Sequence, residues 1–237
     1  MDLGWVLRAD NQAKQVAVQE TINLAGLQLP WRPVLAIVLI TLLITVDFYY
    51  DILNSILLHP TVELVLRYRA IDRIGLYLLI PLLTIVLIYR ENPSDYGFTL
   101  GDWRTGLVLT ALCWLIATPI LYFASQTPAM RSYYAAFKQS PAGVISMAAL
   151  DLFGWEFVFR GFLLFALLRV AGPSAVVLQA VPFALGHLGK PPLETLSTIF
   201  GGTLFGWVAW RTRSFLYPFL MHLYILSFTI FAVTLIR

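Results

Sequence analysis

Prolines and glycines cut this chain into apolar runs close to the length that crosses a bilayer. About 20 apolar residues in an α-helix, rising 1.5 Å each, match the hydrocarbon thickness. Backbone groups in that setting find no water to bond, so such runs must be helical. Seven runs meet this description, at 33–50, 74–89, 105–124, 142–170, 174–188, 193–210 and 214–236. The fourth is bracketed by Ser140-Pro141 and Gly172-Pro173 and is long enough to cross with tilt or a bend at Gly154. Residues 51–66, interrupted by His59-Pro60, are a loop, an interfacial helix or part of an eighth span. The expected fold is therefore all-α, a polytopic bundle of about seven to eight transmembrane helices over residues 31–237, preceded by a polar or interfacial segment at 1–30.

Composition agrees. Only 12% of the 237 residues are charged, about half the share usual in soluble domains, and mean hydropathy is +0.78. The net charge of +3 is spread along loops and offers no basic face, which excludes nucleic acid as a partner. Cys113 is the sole cysteine, so no disulfide framework and no thiolate metal site forms within the chain. The opening residues lack the pattern of a secretory signal. With seven spans, Lys and Arg outside the membrane divide eight to seven between its two sides, so the positive-inside rule selects no orientation.

Against this background, the stretch 151–170, DLFGWEFVFRGFLLFALLRV, places Glu156 and Arg160 in the middle of an apolar run. Charges at bilayer depth cost at least about 2.5 to 3.5 kcal/mol each on insertion scales, so they pair and mark functional sites. An acid four residues ahead of a base has the spacing and order to form that pair. A pair that only fixes helix packing would look the same. His187, in PFALGHLGKPP, and His222, in LYPFLMHLYIL, lie on two further spans, and the chain has three histidines in all. A lone histidine on an apolar face is ordinary packing. A buried acid with two imidazoles from separate spans is a set able to hold water, remove its proton and donate to an oxyanion. No Gly-x-Ser-x-Gly elbow and no His-Glu-x-x-His helix occurs, so neither a serine hydrolase nor a zincin is indicated. Zinc held by Glu156, His187 and His222 is the weaker alternative to a site without cofactor.

The sequence around these residues, Glu156-Phe157-Val158-Phe159-Arg160-Gly161, then Phe183-Ala184-Leu185-Gly186-His187, then His222 after GWVAWRTRSFLYPFLM, resembles the CPBP family. That family comprises CAAX-type prenyl endopeptidases and bacteriocin-processing membrane proteases, also called Abi. Its motifs are Glu-Glu-x-x-x-Arg, Phe-x-x-x-His and His-x-x-x-Asn, and the resemblance covers about residues 140–232. It implies an intramembrane glutamate-type peptidase in which Glu156, His187, His222 and Arg160 are catalytic, and Phe183, Glu194 and Trp155 are read as substrate-binding or supporting. Trp155 stands where the family has its first glutamate, and Leu226 where it has asparagine. Glu194, seven residues after His187, is the best substitute acid, although an acid in a helix's first turn also complements the dipole. Lys190 reads as an interfacial anchor with a possible contact to a substrate carboxylate. Asp151, one turn before Trp155, is either near the water site or at a helix end. Asp47 and Asp51 read as the exit of the first span, and His59 as a loop residue.

The resulting expectation is an endopeptidase cleaving a lipidated or otherwise membrane-anchored polypeptide in the lipid bilayer of a prokaryotic cytoplasmic (inner) membrane. A catalytically silent binding or bacteriocin-immunity protein on the same fold is the alternative, favoured by Trp155 and Leu226. An ion carrier would also bury Glu, Arg and His, but no repeated halves point to one.

Overall fold

The computed structural model describes residues 21–50, 52–53, 55, 61–135, 137 and 141–235. It is almost wholly helical, and the protein is an integral membrane protein. A short antiparallel hairpin, β1 (Thr21–Leu24) and β2 (Leu27–Pro30), comes first. Its turn places Ala25 and Gly26 at φ of 50° and 88°, the double positive φ of a tight hairpin turn, and Asn23 Oδ1 accepts from the Gly26 amide at 2.9 Å. This hairpin occupies the last third of the segment read as polar and interfacial. Residues 1–20, Asp51 and His59 lie outside the described residues.

The helices that follow are α1 (Trp31–Tyr49), α2 (Val62–Ile74), α3 (Ile80–Leu83), α4 (Trp103–Ser125), α5 (Pro128–Tyr134), α6 (Pro141–Glu156), α7 (Leu164–Ala171), α8 (Ala175–Leu178), α9 (Ala180–Leu185), α10 (Pro192–Thr212) and α11 (Leu216–Leu235). π-helical turns at Gly75–Leu79 and Thr84–Tyr89 carry α2 through α3, and another at Phe157–Leu163 joins α6 to α7. Among the described residues, five helical stretches are long and apolar enough to cross a membrane: Trp31–Tyr49, Leu64–Tyr89, Trp103–Ser125, Ala142–Leu185 and Leu216–Thr234. The expected count of seven to eight differs for two reasons. The fourth and fifth apolar runs form one 44-residue stretch, interrupted at the turn Gly172–Ser174, where Gly172 takes φ 52°. The sixth run, α10, has the length but carries Glu194, Thr195, Ser197, Thr198 and Thr203, and is less apolar than the five.

Gly154 does not interrupt α6, and regular α geometry ends two residues later, at Glu156. What Gly154 permits is a close approach, since a Cβ there would sit 3.1 Å from the Arg73 carbonyl oxygen on α2. The second span begins well before residue 74, and Arg73 lies inside a helix rather than in a loop. Near the starts of α4 and α11, a Cβ on Gly101 would meet the Thr212 carbonyl oxygen at 2.0 Å, and Tyr217 donates its hydroxyl to the Leu100 carbonyl at 2.6 Å. These contacts fix α11, and with it His222, against α4.

The core centres on the π turn after α6. Phe157, Val158, Phe159 and Phe162 are fully buried there, packed with Tyr77, Ile85 and Tyr96. One extra residue per turn is a local departure from α geometry that clusters at functional sites.

Candidate active site

Glu156 ends α6, and its carboxylate points inward. The His222 Nδ1 lies 2.6 Å from Glu156 Oε1. Arg160 approaches the same carboxylate from the next turn, Nη1 to Oε1 at 3.4 Å and Nε to Oε2 at 3.3 Å. Glu156 and Arg160 are both 0% exposed. The pairing is incomplete, because Glu156 Oε2 and Arg160 Nε and Nη2 have no hydrogen-bond partner among the described residues. Buried polar atoms are otherwise almost always satisfied. Arg160 gains part of its stabilisation from aromatic faces, its guanidinium lying 3.7 Å from the Phe183 ring centroid and 5.4 Å from that of Phe205.

His187 follows α9, one turn beyond Phe183. Its Nδ1 lies 2.8 Å from the Phe183 carbonyl oxygen. A carbonyl only accepts, so Nδ1 carries the hydrogen and Nε2 keeps the lone pair. The Phe183 ring supports both imidazoles, with centroids 4.5 Å from His187 and 5.9 Å from His222. The two imidazoles lie 6.1 Å apart, 26° from parallel. A bond from Thr195 Oγ1 to the His187 carbonyl at 2.8 Å ties the His187 turn to the start of α10.

Both histidines line a cavity of about 240 Å³, together with Trp155, Asp151, Lys190, Glu194 and Leu226. Glu156 is not part of its wall. The structure brings Glu156, Arg160, His187, His222 and Phe183 together, but only the two histidines face the cavity, and Glu156 lies behind His222, against its Nδ1. Residue 155 takes the cavity-facing position, and it is tryptophan. Leu226, a turn beyond His222, also faces the cavity and offers no donor. Glu194 Oε1 accepts from Lys190 Nζ at 2.8 Å and Oε2 from the Tyr134 hydroxyl at 2.9 Å.

Asp151 is not a free acid at a helix end. Arg73 Nη1 bonds its two oxygens at 3.1 and 2.9 Å, while Nε and Nη2 bond Asp47 at 2.9 to 3.2 Å. Asp47 thereby joins α1 to α2 rather than merely marking the exit of α1. Arg73 and Tyr134, both in the cavity wall, are residues that the sequence reading missed. Arg73 sits just ahead of the apolar run starting at Ile74, and its partners Asp47 and Asp151 lie 26 and 78 positions away, too far for any local pattern to signal them.

Among the described residues, no group of three or more His, Cys, Asp or Glu side chains is arranged to hold a metal ion.

Residues 137–228 match the family model described as type II CAAX prenyl endopeptidase Rce1-like. The resemblance drawn from the three motifs holds over this stretch. No curated protein and no solved structure matches the chain.

Proposed function

We propose that the Rce1-like stretch, residues 137–228, is the catalytic part of an intramembrane endopeptidase. It cleaves a lipidated or otherwise membrane-anchored polypeptide with a water activated by histidine and glutamate, in the cytoplasmic membrane of a prokaryote. The observation that carries this reading is the pair of imidazoles from separate elements on one cavity wall, one of them 2.6 Å from a fully buried carboxylate.

The chemistry follows from hydrogen placement. Glu156 accepts the Nδ1 hydrogen of His222, which leaves Nε2 of that ring as an acceptor toward the cavity. His187 likewise offers Nε2. A water between the rings donates a hydrogen to each and keeps an oxygen lone pair for a carbonyl carbon. Proton removal creates an imidazolium, and the ring best placed to carry that charge is His222, which faces Glu156. His187 faces only a carbonyl. His222 then returns the proton to the leaving nitrogen as the C–N bond breaks. Glu156 is a positioning residue in this scheme, in the way a buried carboxylate holds a catalytic imidazole in one tautomer. Arg160 and Phe183 hold the carboxylate and the rings in place.

The test is hydrolysis of a farnesylated peptide ending in a CAAX sequence by the protein reconstituted in bilayers, comparing wild type with Glu156→Gln, His187→Ala and His222→Ala. Cleavage by wild type with loss in all three variants is expected; equal turnover in all four overturns the reading. A silent binding protein on the same fold is the second reading, favoured by Trp155 and Leu226 in the cavity wall. It predicts that wild type binds the peptide and returns it intact.

A further inference from the structure

Beside the cavity that holds the histidines lies a larger one of about 430 Å³, lined by Phe48, Tyr133, Phe137, Val144 and Met147 among others. Arg73, Tyr134, Asp151, Trp155, Gly186, Lys190 and Leu226 belong to both walls, and Trp155 is the bulkiest apolar side chain among them. The indole of Trp155 is held from several sides. The Arg73 guanidinium lies 5.2 Å from its ring centroid, Tyr77 meets it edge-on at 5.2 Å, Phe159 at 4.9 Å and His187 at 6.0 Å. Position 186 is glycine where the indole needs room, since a Cβ there would lie 2.7 Å from Trp155 Cη2. At 5% exposure, with neighbours on these sides, the ring is a fixed wall. Proton transfer between water and imidazole has no use for an indole, but a rigid apolar plate beside the reacting atoms decides which side chains fit there.

We propose that Trp155 is the specificity-determining part of this shared wall: it closes the larger cavity, whose lining mixes aromatic and charged side chains, to the substrate and restricts the residue beside the scissile bond to a small side chain. This inference rests on the peptidase reading. Removing the indole opens the part of the shared wall that Trp155 forms, and an aromatic residue beside the scissile bond gains room to reach Tyr133 and Phe137. Discrimination by apolar pocket size runs from about 10-fold to 200-fold, and the change in preference belongs in that range.

Farnesylated peptides carrying Ala, Val, Leu or Phe at each of the three positions after the modified cysteine measure this directly. Wild type is expected to cleave the Ala peptide about 10-fold or more faster than the Phe peptide at one of these positions. Trp155→Ala should narrow or invert that ratio by about 10- to 100-fold, chiefly through KM for the Phe peptide. Gly186→Ala, which pushes the indole into the cavities, should steepen it. Where Trp155→Ala does not survive purification, Trp155→Leu and Gly186→Ala carry the test. Unchanged ratios in the variants that hydrolyse peptide overturn this role of Trp155 and leave the peptidase reading standing. No hydrolysis of any peptide by wild type overturns both.

Discussion

Two glutamates in this protein meet arginine in contrasting ways. Glu91, just after the second span, is saturated. Its Oε1 accepts from Arg32 at 2.8 Å and Arg169 at 2.9 Å, and its Oε2 from Arg169 at 2.7 Å and Tyr96 at 2.5 Å. Those partners come from α1, α7 and the turn before α4, so one carboxylate clamps three parts of the bundle with short, charge-assisted bonds. Glu156 is deeper, yet its contacts to Arg160 are 3.3 and 3.4 Å, and one of its oxygens has no hydrogen bond among the described residues. Its short contact is to a histidine. A carboxylate that only fastens helices fills its acceptor sites with fixed donors. One that keeps an acceptor open and spends its best bond on an imidazole in a cavity wall has the arrangement that the proposed peptidase chemistry requires, at a cost in stability.

The comparison breaks most decisively on activity. Glu156→Gln is expected to lower kcat on the farnesylated peptide by about 10⁴-fold, the size of effect seen when a buried carboxylate no longer fixes a catalytic imidazole, whereas Glu91→Gln leaves kcat unchanged. Equal losses in the two variants would make both carboxylates structural. Next comes stability in detergent. Glu156→Gln leaves Arg160 buried without its counter-charge and should cost about 3 to 5 kcal/mol, while the double variant Glu156→Gln with Arg160→Met recovers most of that loss. A double variant no more stable than the single one would show that the pair had not been the source. Glu91→Gln should cost less, about 1 to 2 kcal/mol, since its cluster is partly open to water.

Acid sharpens the same contrast. Burial works to raise the Glu91 carboxyl, but hydrogen bonds from Arg169 and Tyr96, with the charges of Arg169 and Arg32, outweigh it and hold the group below its ordinary value of 4.5. A carboxyl depressed on folding contributes its stability in full above the unfolded value and loses it as pH falls through the folded one. Thermal melts of wild type should therefore fall more steeply on acidification below about pH 4.5 than those of Glu91→Gln; parallel slopes would deny the clamp its role. The smallest expected effect is that of chelation. Treatment with a zinc chelator should leave peptide cleavage unchanged and the purified protein without stoichiometric zinc, and loss of activity restored by zinc would bring Glu156, His187 and His222 back as metal ligands.

The spans were legible because their signals are local. Proline and glycine punctuation placed the third run at 105–124 against an observed Trp103–Ser125, where Asp102 caps the helix by accepting from the Thr105 amide at 3.2 Å. The seventh run, from 214, likewise matches α11. The histidines and Glu156 stood out because polar groups are scarce among apolar ones. What periodicity did not show is which neighbour faces the cavity. Residues 155 and 156 differ by about 100° around a helix, and the choice depends on the π turn that follows, whose i to i+5 bonding has no simple residue code. Arg73 escaped because its meaning comes from Asp47 and Asp151 on other helices. The hairpin at 21–30 was missed because two four-residue strands carry too little alternation to outweigh a polar, irregular context.

The π turn at Phe157–Leu163 has a further consequence. It stores one residue beyond what an α-helix of the same length would hold, so removing a single residue there, such as Val158, could be absorbed by reverting to α geometry without shortening the crossing. The flanking α segments would keep nearly the same phase, because the π turn spends about five residues on the advance that an α-helix makes in four. The change would fall inside the turn, where Glu156 and Arg160 would stand three residues apart instead of four. Loss of one codon there would retune the buried acid–base pair while the helices on either side keep their faces.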